Sequence, residues 1–410
     1  MPDLAQSTFI LPQDATLTSE QSALEQRIWT FINDNHNTTS THLLIISGDA
    51  GAGKSVVLDA AFAQLQKAAR ATSGELAGTD NKLLVNHNEM LKIYKEIAGT
   101  KSYFRKKDFM KPTPFINAYR KAGKRADVVL IDEGHLLLTT PDPYNKFRGH
   151  NQLADILQLA RVVVLVFDFH QLVKLKSFWT PALLKRVTRD YAVTHYHLTE
   201  QMRVGDAAVN DWIDHFVRGK VLPLPHPQHF DFQVFSDGQP MYDLIQRRNA
   251  ETGLSRMIAT ADYPFTVLDG KTWYVQAGSL RLPWDKINFT DRPWAQRPET
   301  LHEVGSIYTI QGFDLNYAGV ILGPSLGYDP SKDRLTVDLA QYQDKEAFKK
   351  RPDLADTTDA KAAIIMNAIN ILLKRAKHGL YLYAADPALR QRLLHWPNNL
   401  ATSLLKCNRL

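Results

Sequence analysis

Residues 43–58 read LLIISGDAGAGKSVVL. An apolar run of β character, Leu43 to Ile46, leads into Gly48-Asp49-Ala50-Gly51-Ala52-Gly53-Lys54-Ser55, and an apolar helical pattern follows. This is G-x-x-x-x-G-K-[ST] between a strand and a helix, the context a phosphate-binding loop requires. The three glycines let backbone N–H groups wrap a phosphate with no Cβ in the way. A helix beginning near Lys54 turns the positive end of its dipole to the same place. The residue types then assign contacts to a nucleotide's phosphates across 48–55, with Lys54 on the β- and γ-phosphates and Ser55 on Mg²⁺.

The segments downstream complete an α/β pattern. Lys82 to His87 reads as a strand and residues 89–97 as a helix, with a second short helix over 113–122. Ala126 to Ile131 and Arg161 to Phe167 are nearly continuous apolar runs, the signature of strands buried on both faces of a parallel sheet. Helices at 151–159 and 178–189 and a strand at 193–198 follow, giving a doubly wound α/β domain with ligands at the carboxyl ends of its strands. Upstream, Thr18-Ser19-Glu20-Gln21 opens a helix to about residue 33, with Leu24, Ile28, Phe31 and Ile32 on one face. The pattern then restarts: helix 206–217, strand 231–235, helix 239–249, strand 255–260, short strands within 264–300, helix 360–374 and strand 379–384. This second unit has no phosphate loop of its own. Two domains, 1–200 and 201–410, are expected, as the chain's 410 residues exceed the size at which one core stops growing.

Composition narrows the partners. A formal charge of +6 permits nucleic-acid binding without establishing it. The single cysteine, Cys407, excludes an intramolecular disulfide or a cysteine metal site and suits a reducing compartment. No apolar run approaches the length of a membrane span, so a cytoplasmic protein with no membrane partner is expected.

Several side chains are candidates for chemistry. Strand 126–131 ends in Asp132-Glu133, carboxylates fit to hold Mg²⁺ (Asp132) and to act on an attacking water as general base (Glu133). Gln171, just past the next strand, is placed to sense a γ-phosphate or orient water. Gln21 fits a capping box with Thr18 and is also a candidate adenine contact. Arg203 opens the second unit and Arg375 precedes its last strand. Either fits transition-state phosphate charge, and either fits an ordinary surface ion pair. The basic runs Arg105-Lys106-Lys107, Lys121 to Arg125 and Arg247-Arg248 read as solvated faces or as nucleic-acid contacts.

In order along the chain, GDAGAGKS, LLVNH, VVLIDEGH, VVVLVFDFHQ, LTEQMR, YTIQGFD and LLKRAKHGLYLY resemble the blocks of superfamily 1 helicases. More narrowly, they resemble the bacterial Schlafen group 3-like DNA/RNA helicase domain family, from about residue 40 to 390. The resemblance implies two RecA-like domains with the ATP site in the cleft between them. It implies ATP contacts from Gly51, Gly53, Lys54 and Ser55, metal and water roles for Asp132 and Glu133, and γ-phosphate sensing by Gln171. It also implies arginine fingers at Arg203 and Arg375, and coupling through Gln311 and Gly312. Three positions depart from the family pattern: Gly134 stands where alanine is usual, Lys374 where threonine is, and Ala376 where glycine is frequent. The expected activity is Mg²⁺-dependent ATP hydrolysis coupled to DNA or RNA. The alternative is a nucleotide-gated module that recruits a protein partner, within a bacterial defence system for instance, and unwinds nothing.

Overall fold

The computed structural model describes residues 17–48, 53–198, 206–265, 271–284, 292–310, 313–349, 351 and 356–395, apart from the side chain of Glu89. In the first half lie β1 (His42–Gly48), β2 (Asn81–Val85), β3 (Phe109–Met110), β4 (Ala126–Asp132), β5 (Ala160–Phe167) and β6 (Ala192–Leu198). They form one sheet in the order β3-β2-β4-β5-β1-β6, with every pair parallel. Successive side chains of a strand point to opposite faces, and both faces here are covered. Leu44 and Ile46 pack with Val128, Leu130, Val162 and Val164 beneath helices Ser19–Asn35 and Lys54–Arg70. Leu43 and Ile45 pack with Val129, Ile131, Val163 and Leu165 beneath helices Pro112–Ala122 and Gln152–Gln158. That is why the sequence of these strands is continuously apolar rather than alternating.

The second half supplies β7 (Asp231–Val234), β8 (Ser255–Ala259), the hairpin strands β9 (Tyr274–Ala277) and β10 (Leu280–Pro283), β11 (Val304–Gly305) and β12 (Leu315–Leu322). A second hairpin, β13 (Leu326–Asp329) and β14 (Arg334–Val337), and β15 (Ala376–Ala384) complete it. Its sheet runs β11-β8-β12-β15-β7, again all parallel. The architecture is therefore two doubly wound parallel sheets. The boundary expected between residues 200 and 201 falls within 199–205, outside the described residues, between β6 and the helix Ala207–Val217.

Differences from the expected elements have local causes. The helix expected from residue 178 begins at Pro181, because Thr180 caps it through Leu183 N–H and Pro181 occupies its first position. The two-residue strands β3 and β11 are too short to carry any periodicity. Helix Pro387–Leu394, capped by Asp386, follows the strand expected to close the chain's last domain. Among the described residues no helix is long and apolar enough to cross a membrane.

The two halves meet in a buried apolar cluster of Leu136 and Val173 from the first, and Ile307, Ala368 and Ile371 from the second. Around it Asn367 Nδ2 donates to Leu172 O at 3.0 Å, and Arg351 Nη1 donates to Thr139 Oγ1 at 2.9 Å. Lys174 Nζ sits 4.3 Å from the centroid of the Tyr308 ring. Leu136 and Val173 lie in the turns that follow β4 and β5, so this contact seats the second half against the carboxyl edge of the first sheet.

Candidate nucleotide site

Because every strand of the first sheet runs the same way, the ends of β1, β4 and β5 open on one edge. β5 lies between β1 and β4, which spaces the phosphate loop from Asp132-Glu133 by one strand. Gly48 ends β1 where a Cβ would lie 2.6 Å from Leu198 O of β6, so a side chain has no room. Gly53 takes φ +76°, a left-handed conformation suited to glycine, and a Cβ there would run into Gln21 Nε2. Residues 49–52 lie outside the described residues. Gln21 thus rests against the loop's last glycine. It also closes the expected capping box: Gln21 N–H donates to Thr18 Oγ1 at 3.2 Å and Thr18 N–H to Gln21 Oε1 at 3.1 Å.

Lys54 and Ser55 open the helix that follows. Lys54 is 8% exposed. Its Nζ donates to Gly48 O at 2.5 Å and lies 3.7 Å from Asp168 Oδ2. Ser55 Oγ donates to Asp132 Oδ1 at 3.0 Å, and that same oxygen accepts Glu133 N–H at 2.9 Å. Asp132 Oδ2 accepts from Tyr94 OH at 2.9 Å. Burial first, and then the adjoining Glu133 carboxylate, push the Asp132 pKa up to about 6 against those hydrogen bonds. Asp59, one turn beyond Ser55 on the same helix, is buried beside this pair. Burial and the Asp132 charge raise its pKa well above the carboxylate range.

Glu133 adopts φ 51° and ψ 47°, a left-handed conformation costing a non-glycine residue on the order of 1–3 kcal/mol. Such outliers cluster at functional sites. His135 Nε2 lies 3.1 Å from Glu133 Oε2. Burial holds the His135 pKa down at about 4, with the Asp168 carboxylate opposing, so the ring is neutral at pH 7. Between the two, Gly134 approaches β5 so closely that a Cβ would lie 2.6 Å from Val166 O and against Leu165 Cδ1. The departure from the family's alanine therefore has a packing reason. Gly134→Ala should cost about 1–3 kcal/mol, the scale of overpacking in a filled core. Urea denaturation at wild-type stability for this variant would show that the close approach is not real.

At the end of β5, Asp168 accepts from His170 N–H at 2.9 Å and from Gln171 Nε2 at 2.8 Å. Burial would raise its pKa, but His170, the Lys54 charge and Gln171 together hold it below the usual range. Gln171 is 4% exposed, and its Oε1 has no hydrogen-bond partner among the described residues.

From the second half, Arg375 is 1% exposed. Its Nε donates to Ile371 O at 3.0 Å and its Nη1 to Phe313 O at 3.3 Å. Its charge helps lower the pKa of both His87 and His135 in the first half, where burial is the main cause. The guanidinium therefore stands within electrostatic reach of this carboxyl edge. The neighbouring departures are structural: Lys374 Nζ pairs with Asp214 Oδ1 at 2.5 Å, and Ala376 is a fully buried start to β15. Arg203, Gln311 and Gly312 lie outside the described residues.

The basic runs do not join this cluster. Arg105, Lys106 and Lys107 are exposed on a turn before the edge strand β3. The direction of β3 puts that turn toward the sheet's amino edge. Arg125 is tied to Thr39 O, Thr41 Oγ1 and Ala160 O, and Arg248 to Asp231 and Glu251. Sequence reasoning missed Asp168 as the partner of Lys54, although it begins the quoted DFHQ turn. It also missed Tyr94, Asp59 and His135, whose partners no local spacing announces.

The family model for the Schlafen group 3, DNA/RNA helicase domain matches residues 41–386. An uncharacterized protein of Saccharomyces cerevisiae is 40% identical over 420 residues, covering 93% of this chain and 91% of that one. Among solved structures, a Pif1 helicase from Candida albicans is 13% identical, with 92% and 97% of the two chains covered and a TM-score of 0.39. The arterivirus nonstructural protein 10 helicase in complex with DNA is 13% identical, with 90% and 61% covered and a TM-score of 0.31.

Proposed function

Since the chain belongs to the Schlafen group 3 DNA/RNA helicase domain family, a helicase-type NTPase fold, we propose that it is a Mg²⁺-dependent ATPase acting on nucleic acid. The observation that carries this reading is convergence: Lys54, the Ser55–Asp132 pair, Glu133 and Gln171 meet at one sheet edge, within electrostatic reach of the buried Arg375. In this reading residues 1–200 and 201–410 are the two domains and ATP lies in the cleft between them. The loop 48–55 holds the phosphates, Gln21 contacts the adenine, and Gln311 and Gly312 couple the second domain to the nucleotide.

Ser55 Oγ and Asp132 Oδ1, two hard oxygen donors 3.0 Å apart, suit Mg²⁺, which takes one or two protein oxygens and completes its shell with phosphates and water. Bound there, the ion would neutralise phosphate charge. Glu133 takes the proton of the attacking water, and His135 Nε2 holds its carboxylate. Gln171 Oε1, an acceptor with no partner among the described residues, is available to orient that water. Arg375, and Arg203 with it, supply positive charge for the transition state.

Nucleic acid is proposed to run across both domains, held mainly through phosphates by Lys, Arg and backbone N–H groups, with Arg105, Lys106 and Lys107 among the contacts. Aromatic side chains of the 264–300 region are candidates for base stacking. Affinity for single strands should then fall by roughly 0.7 log units per log unit of salt for each phosphate neutralised. Replacing all three residues by alanine should weaken binding and leave ATP turnover without nucleic acid unchanged. A variant binding single-stranded DNA and RNA as tightly as wild type at every salt concentration would remove this patch from the interface. The one cysteine fits a cytoplasmic setting.

A further inference from the structure

Tyr94 lies on the helix Asn88–Ile97, which follows β2 and is distant in sequence from both the phosphate loop and Asp132. The ring is 1% exposed and stacks on Phe109, with centroids 5.3 Å apart and planes 8° from parallel. For this packing a phenylalanine would do as well. The hydroxyl is what packing does not explain, since burying one costs free energy unless it is hydrogen-bonded. It is bonded, and to a particular atom: Asp132 Oδ2 at 2.9 Å.

The three donors on Asp132 divide the carboxylate. Oδ1 takes Ser55 Oγ and Glu133 N–H, and Oδ2 takes Tyr94 OH. The phenol therefore fixes the rotation of the carboxylate about its last bond. Oδ1 is kept toward Ser55, where the proposed metal position lies, and Oδ2 is turned into the protein. Asp59 is buried close to the same phenol, whose one proton goes to Asp132 Oδ2. Outer partners of this kind orient metal ligands, and their loss costs about 10–100-fold in metal affinity or activity.

We propose that Tyr94 is a positioning residue for Asp132, holding the carboxylate in the rotation that presents Oδ1 to the divalent cation of the ATP site. The assignment rests on the ATPase reading above.

Tyr94→Phe tests it, because the variant keeps the ring stack on Phe109 and loses only the hydroxyl. Thermal denaturation first establishes that the variant folds. Binding of Mn²⁺ is then followed by electron paramagnetic resonance in the presence of a non-hydrolysable ATP analogue. Binding of a fluorescent ATP analogue is measured separately with the divalent metal chelated. The expected result is Mn²⁺ affinity lowered by about tenfold, with metal-free nucleotide affinity unchanged. Unchanged Mn²⁺ affinity overturns the proposal, and so does an equal loss of both affinities, which would mark general damage to the site. Wild-type protein that binds no Mn²⁺ with the nucleotide would instead bring down the ATPase reading itself, and the proposal with it.

Discussion

Arg375→Ala should bind ATP nearly as wild type and turn it over about 10³-fold more slowly, the scale of loss for an arginine that meets transition-state phosphate charge. Two observations motivate this. The guanidinium is buried at the end of the helix Thr358–Leu373, which packs against the turn carrying Gln171. Its charge is also felt by His87 and His135 of the opposite half. Because Arg375 also donates to Ile371 O and Phe313 O, the alanine variant leaves two carbonyls without those donors and loses some stability. Arg375→Lys separates the two effects: it keeps a cation and restores part of the stability, yet lacks the planar fork suited to phosphate oxygens. Steady-state turnover and nucleotide binding on both variants decide the matter. Wild-type turnover by a folded Arg375→Ala protein would return this residue to a purely structural role.

The loop and the general base give the second large effect. Lys54→Ala should abolish productive ATP binding, because it removes the cation held between the carboxyl ends of β1 and β5 by Gly48 O and Asp168. It also leaves Asp168 buried without that charge. Glu133→Gln should retain nucleotide binding and lose turnover by about 10²-fold or more, the usual worth of a positioned general base. The glutamine keeps the size of the side chain and its place beside His135 while removing the basic oxygen. Turnover at the wild-type rate by Glu133→Gln would mean the base lies elsewhere.

Much of this site was legible because its parts are local. The loop spacing at 48–55, the carboxylates ending a buried strand and the Thr18–Gln21 box each need only a few neighbouring residues. Parallel strands then bring their ends together without further information. What was not legible depends on contacts between distant segments. Nothing near Tyr94 in sequence names Asp132 as its partner, and nothing near Gly134 announces the closeness of Val166 O. Lys374 departs from the family pattern for the sake of Asp214, a residue on another helix. The edge strands β3 and β11 escaped for a different reason: two residues cannot show a period of two.

Whether the chain is an ATPase engine that works on nucleic acid is decided by turnover of ATP by the purified protein. The measurement is made with Mg²⁺ at low salt, alone and with single-stranded DNA, duplex DNA and RNA. Turnover should require the divalent cation, rise with at least one of these nucleic acids, and disappear in Lys54→Ala. Turnover identical with and without every nucleic acid, together with no detectable binding to any, would contradict this expectation and leave a nucleotide-gated module that recruits a protein partner.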